Sequence, residues 1–442
     1  MHTLAMLSDV ERYSISFISN FGTIFHKWGQ LTEITYEYLD SLRYVNEIKR
    51  EIALPAVSPD VVAIVGPRRS GKTFLMLKTA SDMLKNNKQV IYVPFDEPSL
   101  RKIPVRKFAE LVRKEYPEGR VNLFLDEIQE WKDWDLNLRW LHDVKDFTIF
   151  ISGSSSSLQS SEISTRLRGR YTSKLIMPLS FREISNVSLK TFREKGQVQK
   201  VFEEYVKWGG FPEVWVYKSR EKIVSLLETI FYRDLVERFR IRNMAEFQSV
   251  FYFVLSNYSN SFTWNSLRKF METLDIKIDT KTLINYIGYM NRAFLIFTLQ
   301  RFSYSEREKA VSPKKIYVID LAFSNLFEKP LDLGRKMENL VFIELLRRLQ
   351  NRISQVFYHT TKSGEKVDFI VKTGGRIEQI VEVCYEIDED HVKKVLKASE
   401  ELNCRNLLCI TRDQEGRTKV RGVEIRYMPI WKWLLGTHTQ GS

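Results

Sequence analysis

The stretch Val61 to Thr73, VVAIVGPRRSGKT, constrains this chain more than any other. Val61 to Val65 is an unbroken apolar run, which predicts a strand buried on both faces of a parallel sheet. Gly66, Pro67, Arg68, Arg69, Ser70, Gly71, Lys72 and Thr73 then spell G-x-x-x-x-G-K-T, and the apolar spacing from Phe74 to Leu84 predicts a helix. Strand, glycine-bounded loop and helix in this order make a phosphate-binding loop. Each residue type has a chemical reason. The two glycines let the backbone curl so that successive N–H groups point inward at phosphate oxygens. The start of the helix adds unpaired donors and the positive end of its dipole. Lys72 is expected to reach the β- and γ-phosphates of ATP, and the Thr73 hydroxyl to ligate Mg2+.

Further motifs fall in order behind this loop. Gln89 to Val93 predicts a second strand, running into Phe95-Asp96-Glu97. Val121 to Leu125, apolar except for Asn122, predicts a third that ends in Asp126-Glu127. A strand end places both carboxylates at the carboxyl edge of the sheet, beside the phosphate loop. Asp126 is expected to hold Mg2+ through its water shell, and Glu127 to orient and deprotonate the attacking water. Thr148 to Ile151 predicts a fourth strand, running into Ser152-Gly153-Ser154-Ser155. In the additional-strand ATPase topology that strand lies between the other two, so Ser152 or Ser154 is the candidate sensor of the γ-phosphate. Arg166-Leu167-Arg168-Gly169-Arg170 offers arginines to close a neighbouring subunit's site. The competing reading of this run is a basic surface cluster.

Composition narrows the class. A chain of 442 residues with 43% hydrophobic and 13% aromatic content is a globular protein of several domains. Its formal net charge of +13 favours an anionic partner such as nucleic acid, or a membrane surface, and charge alone proves neither. No apolar run reaches the roughly 18 residues of a membrane span, and the start lacks a signal-peptide core, so a cytoplasmic protein is expected. Cys384, Cys404 and Cys409 lack paired metal spacing and read as small core residues.

The remaining chain divides by pattern. Residues 1–60 read as a helical lead-in, with helical spacing over Ile15 to Phe25 and Leu31 to Ile48, and 61–177 as the phosphate-loop core. The basic run from Arg101 to Lys114 reads as the solvated face of a helix. Residues 178–245 read as a helical lid. Over 246–332, three short helices followed by two strand-like runs predict a winged helix with Thr280 to Asn291 in the recognition position. Lys281, Asn285 and Arg292 are its candidate DNA contacts. That helix is not strongly basic, and winged helices also serve as protein-contact modules, so both uses stay open. Residues 333–442 predict a second α/β unit, with Glu338 on its first helix and Asp368 and Glu382 on neighbouring strands.

GPRRSGKT, LDEIQEW (125–131), SGSSSSLQSSEISTRLRGRY (152–171), PLSFREI (178–184) and GGFPEV (209–214) together resemble the archaeal and bacterial AAA-type (AAA+ superfamily) P-loop ATPases. MENLVFIELLRR, EKVDFIV and VEVCYE resemble the C-terminal domain carried by members of that family, which is itself similar to the restriction-endonuclease PD-(D/E)xK fold. The resemblance implies an α/β chain: a P-loop AAA+-type parallel sheet, a helical lid, a winged helix and a restriction-endonuclease-like domain. It also implies ATP hydrolysis, a homo-oligomer such as a hexameric ring, and Arg168 and Arg170 as the segment's functional arginines. One departure stands out. The nuclease-like constellation is D…E-x-K, with carboxylates holding a metal and a lysine polarising water. Here Asp368 and Glu382 are followed by Cys384, which cannot supply that positive charge. Lys393 or Lys394 on the next helix is the candidate replacement, and a degenerate nuclease fold used for binding or assembly is favoured. The expected function is a DNA-associated ATPase. An ATP-gated signalling or defence switch acting on a protein, and an ATP-dependent nuclease, are the alternatives.

Overall fold

The computed structural model describes residues 31–153, 167, 169–185, 192–327, 332–350 and 354–436, with backbone only over 192–195. Strands β1 (Val61–Val65), β2 (Val90–Pro94), β3 (Val121–Asp126), β4 (Phe147–Ser152) and β5 (Tyr171–Leu175) form one sheet in the order β2-β3-β4-β1-β5. Every pairing is parallel. All residues of β1 to β4 are buried, because helices cover both faces. Val62 and Ile64 of β1 pack with Leu75, Met76 and Ala80 of the helix that follows the loop. Val61, Ala63 and Val65 face the opposite side, with Phe108, Leu138 and Leu141. Each such fully buried Val, Leu, Ile, Met or Phe side chain contributes roughly 1.5–3 kcal/mol relative to exposure. β4 lies between β1 and β3, as the sequence predicts, with Ile64 opposite Ser152 and Leu125 opposite Ile151.

Helix α1 (Leu31–Asp40) covers the edge strand β2. Its Thr35 hydroxyl accepts the Tyr92 backbone N–H at 2.9 Å, and the Tyr38 and Tyr92 rings lie 5.1 Å apart. The edge is thereby closed to further pairing. The helix expected over Leu31 to Ile48 stops at Asp40, followed by a 3-10 turn over Ser41–Tyr44. Leu39 and Leu42 already reach the core, so the chain beyond runs irregularly toward β1. The helix expected over Ile15 to Phe25 lies outside the described residues.

Beyond α2 (Lys72–Lys85), α3 (Val105–Glu115) and α4 (Trp134–Val144), the segment expected as a lid, hereafter the lid, comprises α5 (Phe192–Trp208), a short helix Pro212–Tyr217 and α6 (Arg220–Thr229). α6 passes directly into a π-helical segment, Ile230–Glu237. Next come α7 (Met244–Ser256), α8 (Trp264–Glu272) and α9 (Thr280–Arg292), and a three-stranded antiparallel sheet ordered β6-β8-β7. Its strands are β6 (Ser261–Phe262), β7 (Ile296–Leu299) and β8 (Lys314–Val318). The Thr263 capping box starts α8, and Asp279 caps α9. The Gly209-Gly210 pair docks the lid on this unit. A Cβ at Gly209, whose φ is 71°, would stand 1.6 Å from the Asp320 carboxylate, and the Gly210 N–H donates to that carboxylate at 2.7 Å. Burial pushes the Asp320 carboxyl up to about 6, against the backbone donors of Ala322 and Gly210.

The C-terminal unit opens with α10 (Leu333–Leu349). An antiparallel meander of β9 (Ser354–Thr360), β10 (Lys366–Thr373) and β11 (Arg376–Val383) follows. α11 (Glu389–Leu402) then crosses over to β12 (Leu407–Thr411), parallel to β11. β13 (Gly416–Val420) and β14 (Val423–Pro429) complete a sheet ordered β13-β14-β12-β11-β10-β9. One hydrophobic core joins lid, middle unit and C-terminal unit, with Phe211, Phe247, Phe342 and Phe369 in a single cluster.

Candidate active site

The phosphate loop joins the carboxyl end of β1 to the start of α2. A Cβ at Gly66 (φ 147°) would stand 2.2 Å from the Ile176 carbonyl oxygen, so only glycine fits there. Gly71, at the N-cap of α2, supplies no side-chain cap, which leaves the first-turn N–H groups to a ligand. The Ser70 hydroxyl is buried and has no hydrogen-bond partner. An orphaned buried donor inside such a loop fits an incoming phosphate oxygen. Lys72 is buried, and its ammonium donates to the carbonyls of Gly66 and Pro67 at 3.0 and 2.9 Å. Burial pulls its pKa below the ordinary lysine value, against the opposing pull of Glu127 and Asp126.

The acids sit where the strand ends predict. Asp126, buried at the tip of β3, accepts from the Thr73 hydroxyl at 2.7 Å, from the Tyr92 hydroxyl at 2.8 Å and from the Ser152 hydroxyl. Thr73 and Asp126 therefore form an adjacent hydroxyl–carboxylate pair, a donor set suited to Mg2+. Ser152, at the tip of β4, also accepts the Glu127 N–H at 3.4 Å. Glu127 holds a left-handed backbone (φ 47°, ψ 48°), a strained conformation for this residue type, and its carboxylate accepts from the Gln129 amide. Among the described residues no group of three or more His, Cys, Asp or Glu could by itself hold a metal. A cation at Asp126 would draw on Thr73 and on the nucleotide.

The two loop arginines pair with the lid, Arg68 half-buried beside Lys72 and Glu127 and Arg69 more exposed. Arg68 forms a two-pronged ion pair with Asp234 of the lid, at 3.0 to 3.3 Å, and Arg69 pairs with Glu213 at 3.1 Å. Arg170 stands at the amino edge of the sheet, away from the phosphate loop of its own chain. Its carbonyl accepts the Val61 N–H at 3.1 Å and its guanidinium pairs with Asp143 at 2.6 Å. Ser154 and Arg168 lie outside the described residues. On α9, Lys281 and Asn285 are exposed on one face, whereas Arg292 lies over the rings of Phe239 and Tyr289, at 4.7 and 4.9 Å. Arg292 thus packs lid against middle unit instead of standing free with the other two.

The C-terminal acids come together as a second charged centre. Lys315 of β8 donates to Glu338 at 2.8 Å and to Asp368 at 2.9 Å, and the Tyr317 hydroxyl donates to Glu338 at 2.6 Å. Asp368 accepts the Val383 N–H at 3.1 Å, and Glu382 accepts from Lys394. Of the two candidate replacements for the missing lysine, Lys394 faces Glu382, while Lys393 points outward to Glu389 and Asp390. Burial pushes the Cys384 thiol up to about 12, so it carries no charge at neutral pH. Burial and Asp368 push Glu338 and Glu382 above the usual carboxylate range. Burial also opposes the charge on Lys315, but Asp368 and Glu338 outweigh it and raise its pKa.

Sequence reasoning missed Tyr92, Lys315 and Tyr317. Each lies far along the chain from the group it contacts and belongs to no motif, so no local pattern marks it.

Fold and loop together define a P-loop nucleotide-binding protein of the AAA type. Residues 58–185 match the AAA domain family AAA_14, while 199–330 and 333–433 match domains of unknown function, DUF8612 and DUF4143. The chain is 34% identical over 428 residues to the uncharacterized protein MJ1544 of Methanocaldococcus jannaschii, spanning 91% of this chain and 94% of that one. It belongs to the same family as that protein. An uncharacterized protein of Haemophilus influenzae is 25% identical over 385 residues, covering 84% of this chain and 94% of its own. Among solved structures, the Walker-type ATPase PABY2304 of Pyrococcus abyssi is similar at a TM-score of 0.40 and 13% identity, over 69% of this chain and 95% of that chain. No helix among the described residues is long and apolar enough to cross a membrane.

Proposed function

We propose that this chain binds ATP with Mg2+ in the loop Gly66–Thr73 and hydrolyses it. The observation that carries the reading is convergence at one sheet edge. An uncapped helix start, a buried lysine bonded only to loop carbonyls, and an Asp126–Thr73 pair all meet there. Lys72 exchanges two neutral carbonyl acceptors for phosphate oxygens, gaining charge-assisted hydrogen bonds. Thr73 and Asp126 would hold Mg2+, which would neutralise charge on the transferring phosphoryl group. Glu127, one residue beyond, orients the attacking water and accepts its proton, and Ser152 fixes the Asp126 carboxylate.

The protein is read as DNA-associated and oligomeric. The net charge of +13, the exposed Lys281 and Asn285 on α9, and the helix–strand order of residues 244–318 support the first part. Arg170, remote from its own phosphate loop, is read with Arg168 as serving a neighbouring subunit. The C-terminal order of helix, three-strand meander, crossover helix and parallel strand supports the nuclease-like fold. The lysine-neutralised acids there favour binding or assembly over cutting. The test is steady-state ATPase activity with and without single-stranded, duplex and branched DNA at two salt concentrations. Stimulation that fades with salt supports the DNA reading; turnover indifferent to every DNA moves it to a protein-directed switch.

A further inference from the structure

The phosphate loop is tied to the lid through two arginines, and the two ties differ in kind. Arg69–Glu213 joins side chains that are each about a third exposed, a geometry worth little. Arg68–Asp234 is two-pronged, and the Asp234 side chain is only 7% exposed. Burial opposes the Arg68 charge, but the hydrogen bonds and charge of Asp234 outweigh it and raise the guanidinium above its ordinary value, with Glu127 adding to the same effect. Asp234 in turn acts on Lys72. One lid carboxylate therefore shares an electrostatic neighbourhood with the two groups that would flank a γ-phosphate. It is also carried on a π-helical segment, a rare form that collects at functional sites.

We propose that Asp234 is the positioning residue through which the lid reads the phosphate site. With no triphosphate in the loop it holds Arg68; a γ-phosphate draws Arg68 away and releases the segment Ile230–Glu237. The inference rests on the ATP reading above. A guanidinium presents one fork, and a γ-phosphate beside Glu127 outcompetes a single carboxylate for it. Added phosphate charge also repels the buried Asp234 carboxylate. The displacement has a route outward. Phe231 of the segment stacks on Phe247 at 5.5 Å and meets Phe251 edge-on at 4.9 Å, both on α7 of the middle unit.

The test combines nucleotide binding and hydrogen exchange on the full chain. A fluorescent, non-hydrolysable ATP analogue and fluorescent ADP are titrated into wild type, Asp234→Asn, Arg68→Gln and the double variant. Asp234→Asn is expected to bind the triphosphate at least about fivefold tighter, with ADP affinity little changed, and Arg68→Gln is expected to abolish that gain. Exchange over residues 230–237 is expected to rise with the triphosphate analogue and not with ADP. In nucleotide-free Arg68→Gln it is expected to stand already at the raised level, which keeps the test decisive if Asp234→Asn does not fold. A merely structural brace predicts weaker or unchanged triphosphate binding in Asp234→Asn, and that result overturns the proposal. So does exchange that ignores the nucleotide. Wild type that binds no nucleotide at all overturns the ATP reading itself, a separate outcome.

Discussion

At the edge of the parallel sheet, Asp126 accepts from three neutral hydroxyls, those of Thr73, Tyr92 and Ser152. In the C-terminal unit, Glu338 and Asp368 share the ammonium of Lys315, and Glu382 takes that of Lys394. The cations are handled as differently as the acids. Lys72 rests on backbone carbonyls, whereas Lys315 rests on two carboxylates. Neutral partners can be surrendered to a ligand without stranding a charge, so the first centre is poised for an anionic ligand and its cation. Charged partners cannot, because removing one leaves another buried and uncompensated. The second centre has satisfied itself.

The contrast breaks most visibly on Lys72. Lys72→Ala is expected to lower ATP turnover roughly a thousandfold, through loss of charge directed at the phosphates. Chemical denaturation of the same variant should show no loss of stability comparable to that of the C-terminal variants below. Unchanged turnover would remove the loop from the chemistry. Glu127→Gln sharpens the roles within that edge. Turnover should fall roughly a hundredfold or more while the ATP analogue still binds, as titration would show.

Lys315→Met probes the other centre. Leaving Glu338 and Asp368 buried without their cation should cost about 3–5 kcal/mol in urea unfolding, with ATP binding intact. A loss no larger than that of Lys72→Ala would erase the distinction between the two centres. Lys394→Met is the mildest change, about 1–3 kcal/mol at neutral pH. Burial and Asp368 already hold Glu382 above the usual carboxylate range, and losing Lys394 raises it further. The folded variant then binds a proton that the unfolded chain releases. Its deficit should therefore shrink as pH falls through the raised pKa and grow as pH rises, and unfolding midpoints at two pH values would show it.

Legibility in the sequence followed the range of the interactions. The loop, β1 to β4 and the acids at the end of β3 were readable. Local pattern decides them: apolar runs, a glycine-bounded turn, acids at a strand end. β5, β6 and β13 escaped. β5 and β13 are half-exposed strands of mixed polarity and β6 has two residues, so none leaves a period to read. The sequence placed Asp368 and Glu382 on neighbouring strands and set Lys393 and Lys394 side by side on the following helix. It could not tell which of the two turns inward.

By itself the sequence determined the elements of the proposed nucleotide-binding edge, because steric and hydrogen-bonding rules act there within a dozen residues of each element. The tertiary structure alone decided how charge is distributed around it. Tyr92 reaches Asp126 from a neighbouring strand, Asp234 reaches Arg68 from the lid, and Lys315 reaches Glu338 and Asp368 from another unit. A buried charge must find its partner wherever packing brings one near, and packing is set by a core that runs through lid, middle and C-terminal units together.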